Sequence, residues 1–238
     1  MAHSWMPGAR RIRAGTDGGS LRGGAPRTVW LTLGTPAGAV SIQSVATRLI
    51  AEGRPCHLIW DPVTGEIAQL VSALRAACAL SIPEHATISG IARTAPGGTA
   101  RGAPSLVRGA AATNVNREGR LCVQIGVLGH PADPFTAGPL ANVAAIVSWL
   151  DSWNVPRRWP AGPPAGQHGT EHHAPGAAAR GRALWALGGH FGASQVPGCP
   201  SRGPGRIDTE RITGTHLLPA YHREPRYSLF QTVLRVPA

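Results

Sequence analysis

Short apolar segments alternate with an amphipathic segment along the first third of the chain. The β-branched and aromatic residues of 28–33 predict a strand. Apolar residues recur every three to four positions across 41–52, and this spacing predicts a helix. The turn residues of 61–65 separate two further apolar segments, 57–60 and 66–70, and therefore predict a β-hairpin.

The second half of the chain repeats this alternation. The nearly continuous apolar run 121–128 predicts a central strand that is covered on both faces, and residues 139–153 have the apolar spacing of a helix. The stretch 71–113 begins with a helical pattern and then becomes rich in Pro, Gly and Thr, which predicts a poorly ordered insertion. The pattern as a whole predicts an α/β fold: a mixed central β-sheet flanked by helices, in a single domain with long loops.

The two ends of the chain differ from its middle. Residues 1–26 are rich in Gly and Arg and lack periodicity, so we predict an irregular arm there. The predicted domain covers 27–210, and 211–238 form a C-terminal tail that includes a strand-like segment, 227–236.

Charge favours an anionic partner. The formal net charge is +11, and the chain contains no Lys, so all 23 basic residues are Arg. This balance favours anionic polymers, including anionic cell-wall material. The arginines are scattered rather than interleaved with aromatics on one helix, which does not favour specific nucleic-acid binding.

Three classes of protein do not fit the composition. No apolar run approaches the ~20 residues that span a bilayer, so no membrane span is predicted. No apolar segment follows the N-terminal arginines as in a signal peptide, which predicts synthesis in the cytoplasm without one. The 4 cysteines lie far apart without a C-x-x-C pair, so neither a disulfide framework nor a ribbon-type zinc site is predicted.

Several segments resemble one enzyme family and occur in its order. They cover most of the chain apart from 71–113 and the two ends. The matching segments are VWLTLGTPAG (29–38), RPCHLIWDPVTGEIAQL (54–70), NREGRLCVQIGVLG (116–129), WLDSWNVPRRWPAGPP (149–164), GGHFGASQVPG (188–198) and PGRID (204–208). With these segments the chain resembles the zinc-dependent N-acetylmuramoyl-L-alanine amidases, particularly endolysins of actinobacterial phages, whose fold is shared with peptidoglycan-recognition proteins.

The resemblance implies metal-assisted amide hydrolysis, with zinc held by three side chains and a water in the open position. The three ligand positions of the family fall on Leu31, Ala193 and Gly203. The general-base position falls on Gly126, and the residue that would steady the oxyanion falls on Ser201. Because Leu, Ala and Gly side chains offer no lone pair to Zn²⁺, the resemblance implies the amidase fold without its zinc or catalytic residues.

The expected function is that of a catalytically degenerate amidase-like protein that binds peptidoglycan or has a structural role. Family positions near the substrate groove fall on Cys56, His57, Asn116 and Arg117, which are therefore the candidate substrate-binding residues. The resemblance also implies action at the cell wall after phage-type release.

Two alternatives stay open at this stage. The first is an active amidase that cleaves the bond between N-acetylmuramic acid and L-Ala with a rearranged zinc site, for which His190 and Cys199 offer an imidazole and a thiolate. The second is a decayed or recombined gene product with no present chemistry.

Overall fold

The computed structural model describes residues 2–80, 115–165, 177–199 and 203–214. Ser201, the strand-like segment 227–236 and most of the predicted insertion 71–113 therefore lie outside the described residues. The strands are β1 (Arg10–Arg11), β2 (Arg27–Thr32), β3 (Leu58–Trp60), β4 (Ile67–Gln69), β5 (Cys122–Val127) and β6 (Gly189–Gly192). The α-helices are α1 (Ile42–Ala51), α2 (Val143–Ser152), α3 (Ala177–Ala186) and α4 (Thr209–Thr213).

The described strands form one mixed, mostly parallel sheet in the order β1-β4-β3-β5-β2-β6, so the predicted α/β class with a mixed sheet is confirmed. Strand β5 lies near the centre and pairs in parallel with both β2 and β3, as the apolar run 121–128 predicted. Strands β3 and β4 form the predicted antiparallel hairpin. Strand β6 pairs in parallel with the outer side of β2.

Alternation along the strands gives the sheet two buried faces. On β2, Val29 and Leu31 point to one face and Trp30 points to the other. We call the first the cleft face; helix α1 and Trp185 of α3 cover it. We call the second the aromatic face; it carries Trp30, Trp60 and Phe135 and is covered by α2 and α4.

Helix α1 follows the predicted pattern closely. The Ser41 side chain caps its N-terminus by accepting a hydrogen bond from the Ser44 backbone N–H. Its buried residues recur at helical spacing and face the sheet, whereas the opposite face is exposed. They are Ile42, Val45, Ala46 and Leu49.

The prediction that the chain is helical from residue 71 is wrong for 71–80, which form turns and irregular structure. This segment is instead held by a buried polar network on the cleft face of the sheet, beside β5. The side-chain oxygen of Gln124 accepts from the Ala79 N–H at 2.9 Å, and its amide nitrogen donates to Oδ1 of Asn116 at 2.8 Å. The same Asn116 oxygen accepts from the Leu80 N–H at 3.2 Å. The N–H groups of Ala79 and Leu80 thus donate to side-chain oxygens, whereas in a helix they would donate to backbone carbonyls.

The N-terminal segment lies along the domain. Strand β1 pairs with β4 at the sheet edge, and Met6 is buried with its N–H donating to the Gln69 side chain. Trp149 of α2 donates from its indole to the His3 carbonyl at 2.8 Å. Residues 2–26 are therefore irregular apart from β1, and they pack against the domain at several points.

No helix in the described ranges has the length and apolar character needed to cross a bilayer. The longest described helices contain 10 residues, about half of what a bilayer requires.

The network around Gln124 gives a stability prediction. Gln124→Met keeps the length of the side chain but leaves the buried Ala79 N–H without an acceptor, so we expect a loss of about 1–3 kcal/mol in the free energy of unfolding. Gln43→Met, at a half-buried position of α1, is the matched control. It should change the free energy of unfolding by less than about 0.5 kcal/mol. Urea denaturation measures both, and equal stability of the two variants would contradict the role given to the network.

Candidate functional cleft

A small cleft opens where β2 ends on the cleft face of the sheet. Its volume is about 170 Å³. The carboxyl ends of parallel strands are a common place for ligand sites in α/β folds. The cleft is lined by Leu31, Thr32 and Leu33 at the end of β2, by Arg48, Leu49 and Glu52 of α1 and its C-cap, and by Arg54, Ala79 and Ala193.

Of the three residues to which the resemblance assigns ligand positions, two line this cleft, and the third contacts Thr32 and Ser194. Leu31 and Ala193 are both lining residues, and Leu31 lies directly opposite Gly126 in the register of β2 and β5. Gly203 lies close to Thr32: a Cβ added to Gly203 would lie 2.5 Å from Oγ1 of Thr32. Its carbonyl also accepts from the Ser194 N–H at 2.8 Å. Residues that are far apart in sequence are thus brought to one place.

The cleft does not fit zinc. The side chains at the three ligand positions contain only hydrocarbon or hydrogen, and Zn²⁺ needs nitrogen, sulfur or oxygen donors. A Cβ on Gly126 would lie 2.9 Å from Cδ1 of Leu33 and 3.0 Å from Sγ of Cys56, so neighbouring side chains occupy the space where the resemblance would place a general base. Across the described part of the chain, no group of three or more His, Cys, Asp or Glu residues could hold a metal ion.

The fallback ligands His190 and Cys199 do not come together. His190 lies on the aromatic face, where its ring is stacked on Trp30 and its Nδ1 accepts from the Trp30 indole N–H at 3.1 Å. Cys199 packs against the core of the cleft face. The sheet therefore separates the imidazole from the thiol.

Cys56 and His57 are buried structural groups. Burial raises the pKa of the Cys56 thiol to about 12, and its S–H donates to the Leu58 carbonyl at 3.1 Å. Both ring nitrogens of His57 are used: Nδ1 accepts from the Gln124 N–H at 3.0 Å, and Nε2 lies 2.8 Å from the Arg75 carbonyl. Because Nδ1 is the acceptor, Nε2 carries the proton and donates. Neither residue lines the cleft.

Asn116 and Arg117 also lie away from the cleft lumen. Asn116 is 2% exposed, and its Oδ1 is part of the polar network beside β5. Arg117 donates from Nε to the Ser20 carbonyl at 2.7 Å and so holds the N-terminal segment. The four predicted substrate-binding residues therefore have structural contacts and do not form one exposed surface.

Sequence reasoning missed the charged rim of the cleft. Arg48 and Glu52 form an i, i+4 pair on the outer side of α1, with 4.0 Å between the guanidinium and the carboxylate. Arg48 also donates to Oγ1 of Thr35 at 3.0 Å. Their spacing could have indicated an exposed helical pair, but only the fold shows that Arg54 joins them at the rim.

No protein-family model, curated protein or solved structure matches this chain.

The two buried imidazoles predict a loss of stability in acid. Burial lowers the pKa of His57 to about 4 and that of His190 to about 3, whereas an unfolded His has a pKa near 6.5. Below pH ~6.5 the unfolded chain binds protons that the folded chain excludes. The stabilisation is therefore complete above pH ~6.5 and is lost progressively as the pH falls toward 4.

Urea denaturation at a series of pH values checks this expectation. His190→Phe should flatten the dependence of the unfolding free energy on pH below 6.5, because one buried imidazole is removed. His3→Phe, at an exposed position, should leave the slope unchanged. A wild-type free energy that stays constant between pH 6.5 and 4 would refute the assignment.

Proposed function

We propose that this protein is a catalytically degenerate relative of the zinc amidases of the peptidoglycan-recognition fold, and that it binds cell-wall peptidoglycan through its cleft. It binds without zinc and without cleaving the amide bond. The observation that carries the proposal is the position of the family's ligand residues: Leu31 and Ala193 line one cleft, and Gly203 lies beside it.

Two further features support the proposal. The mixed sheet has parallel neighbours on both sides of β5, and helix α1 and Trp185 of α3 cover its cleft face, an arrangement compatible with the amidase fold. The rim of the cleft also carries two arginines against one glutamate, and the whole chain has a net charge of +11, which favours anionic wall material.

The alternative of an active amidase with a rearranged zinc site needs three donors around one point. Among residues 2–80, 115–165, 177–199 and 203–214 such a group is absent, and the two fallback ligands lie on opposite faces of the sheet. The geometry therefore favours binding over hydrolysis.

Zinc content and wall clearing separate these two functions. We expect the purified protein, equilibrated with excess Zn²⁺ and passed over a weak chelating resin, to retain far less than one equivalent by mass spectrometry. We also expect no fall in turbidity when the protein is added to purified cell walls. One equivalent of retained zinc together with clearing would establish the active amidase instead.

Co-sedimentation with insoluble peptidoglycan, stripped of anionic polymers, tests the binding function. Arg48→Glu reverses a charge at the rim of the cleft and should lower the bound fraction several-fold. Arg120→Glu makes the same change at an exposed arginine that does not line the cleft, and should retain most of the binding. Salt of about 0.3 M is included because it screens contacts that depend on net charge alone.

Two results would contradict the proposal. One is wild-type protein that stays in the supernatant at this salt concentration. The other is an equal loss of binding in the two variants, which would assign the interaction to general charge and not to the cleft.

A further inference from the structure

Strand β1 forms one outer edge of the described sheet. It pairs with β4 on one side, and none of the described segments pairs with its other side. The N–H groups of Ile12 and Ala14 donate to the carbonyls of 69–70 at 2.9 and 3.0 Å, so these two residues turn their main-chain groups toward β4. The N–H and C=O groups of Arg11 and Arg13, which alternate with them, therefore point away from the sheet.

Two arginines without a carboxylate partner lie along this edge. Arg11 and Arg13 are exposed, and neither forms an ion pair with a described residue. Their guanidinium carbons lie 5.5 and 5.6 Å from the centre of the Trp5 ring, which is half-buried. These cation–π contacts hold both guanidinium groups beside the edge.

The charge is concentrated on one side of the strand. Side chains alternate along a strand, so Arg10 lies on the same side as Ile12, which packs against the core of the cleft face. There Arg10 lies 3.9 Å from the Glu66 carboxylate. Arg11 and Arg13 lie on the opposite side, and their positive charges stay unbalanced by any ion pair of the described residues.

These features favour an acidic peptide strand over other occupants. Unpaired N–H and C=O groups can pair with an extended peptide backbone, and a nucleic acid has no such backbone to offer. Like charges opposite each other destabilise paired strands, so the same edge of a second copy of this chain is a poor partner. Side chains of an added strand alternate between its two sides, so carboxylates at positions i and i+2 would lie beside Arg11 and Arg13.

We propose that the edge of β1 binds an extended acidic peptide segment as an added strand of the sheet. The main-chain groups of Arg11 and Arg13 pair with the segment, and their guanidinium groups pair with carboxylates at alternate positions. In strand addition the main-chain bonds supply affinity and the alternate side chains supply specificity. The site uses no residue of the cleft, so it goes beyond the function proposed above and does not depend on it.

Amide hydrogen exchange followed by NMR tests the strand addition. The probe is the peptide TETETET, blocked at both ends, in which glutamates occupy alternate positions. In the free protein we expect rapid exchange of the Arg11 and Arg13 N–H groups and slower exchange of those of Ile12 and Ala14, which donate to the β4 segment. Saturating TETETET should slow the exchange of Arg11 and Arg13 at least tenfold.

Fluorescence anisotropy of the labelled peptide tests the charge pattern. TTEEETT has the same composition with adjacent glutamates and should bind at least fivefold more weakly than TETETET. The double variant Arg11→Gln, Arg13→Gln should also lose at least tenfold in affinity for TETETET. The matched control, Arg120→Gln with Arg206→Gln, removes two exposed arginines outside β1 and should bind as the wild type does. Circular dichroism establishes that each variant is folded.

Four results would overturn the assignment: Arg11 and Arg13 amides that are already protected in the protein alone, exchange unchanged by millimolar TETETET, equal affinity for the two peptides, or equal loss in the two double variants. Tighter binding of an oligothymidylate of equal charge would assign the edge to nucleic acid and would also overturn it. Because these experiments use no peptidoglycan, their failure is distinct from failure of the co-sedimentation experiment, and each proposal can fall alone.

Discussion

The parallel pairing of β2 with β5 is the constraint on which the cleft depends. It sets Leu31 opposite Gly126 and directs both toward the cleft face. Pairing of β6 with the other side of β2 brings Ala193, which directly follows β6, to the same end of the sheet. A shift of one residue in either register would turn these positions to the aromatic face and remove the cleft lining.

The structure treats its buried polar groups in two different ways. Beside β5, the side chains of Gln124, Asn116 and His57 accept or donate within hydrogen-bond distance of neighbouring groups. Six other buried side-chain atoms of the described residues make no hydrogen bond, and they belong to Thr32, Arg54, Trp153, Trp159, His190 and Ser194. Because an unmade buried hydrogen bond costs free energy, the first group stabilises the fold and the second lowers its stability.

Much of the sheet was predictable because its signals are local. The apolar run of β5, the hairpin of β3 and β4, and the spacing of α1 depend on residues adjacent in sequence. Residues 71–80 misled the prediction, since their helical spacing yields to side-chain acceptors supplied by Gln124 and Asn116 from elsewhere in the chain. Helical periodicity alone cannot reveal such distant partners.

The candidate site was predictable only in part. Leu31 and Ala193, which the resemblance assigns to ligand positions, line one cleft. Motif order could not indicate that His57 and Asn116 are occupied by internal hydrogen bonds, because burial is a property of the folded sheet. Nor could it place Arg54 at the rim of the cleft, because that position depends on the fold. Glu52 pairs there with Arg48 and not with Arg54.

The convergence of Leu31 and Ala193 on one cleft, at positions that we propose once held metal donors, is the central claim. Introducing two donors there tests it most directly. Leu31→His together with Ala193→His should create a metal site, so competition with a fluorescent chelator should show Zn²⁺ bound at least tenfold more tightly than by either single variant. Circular dichroism establishes that each variant is folded. A folded double variant that binds zinc no better than the single variants would contradict the account.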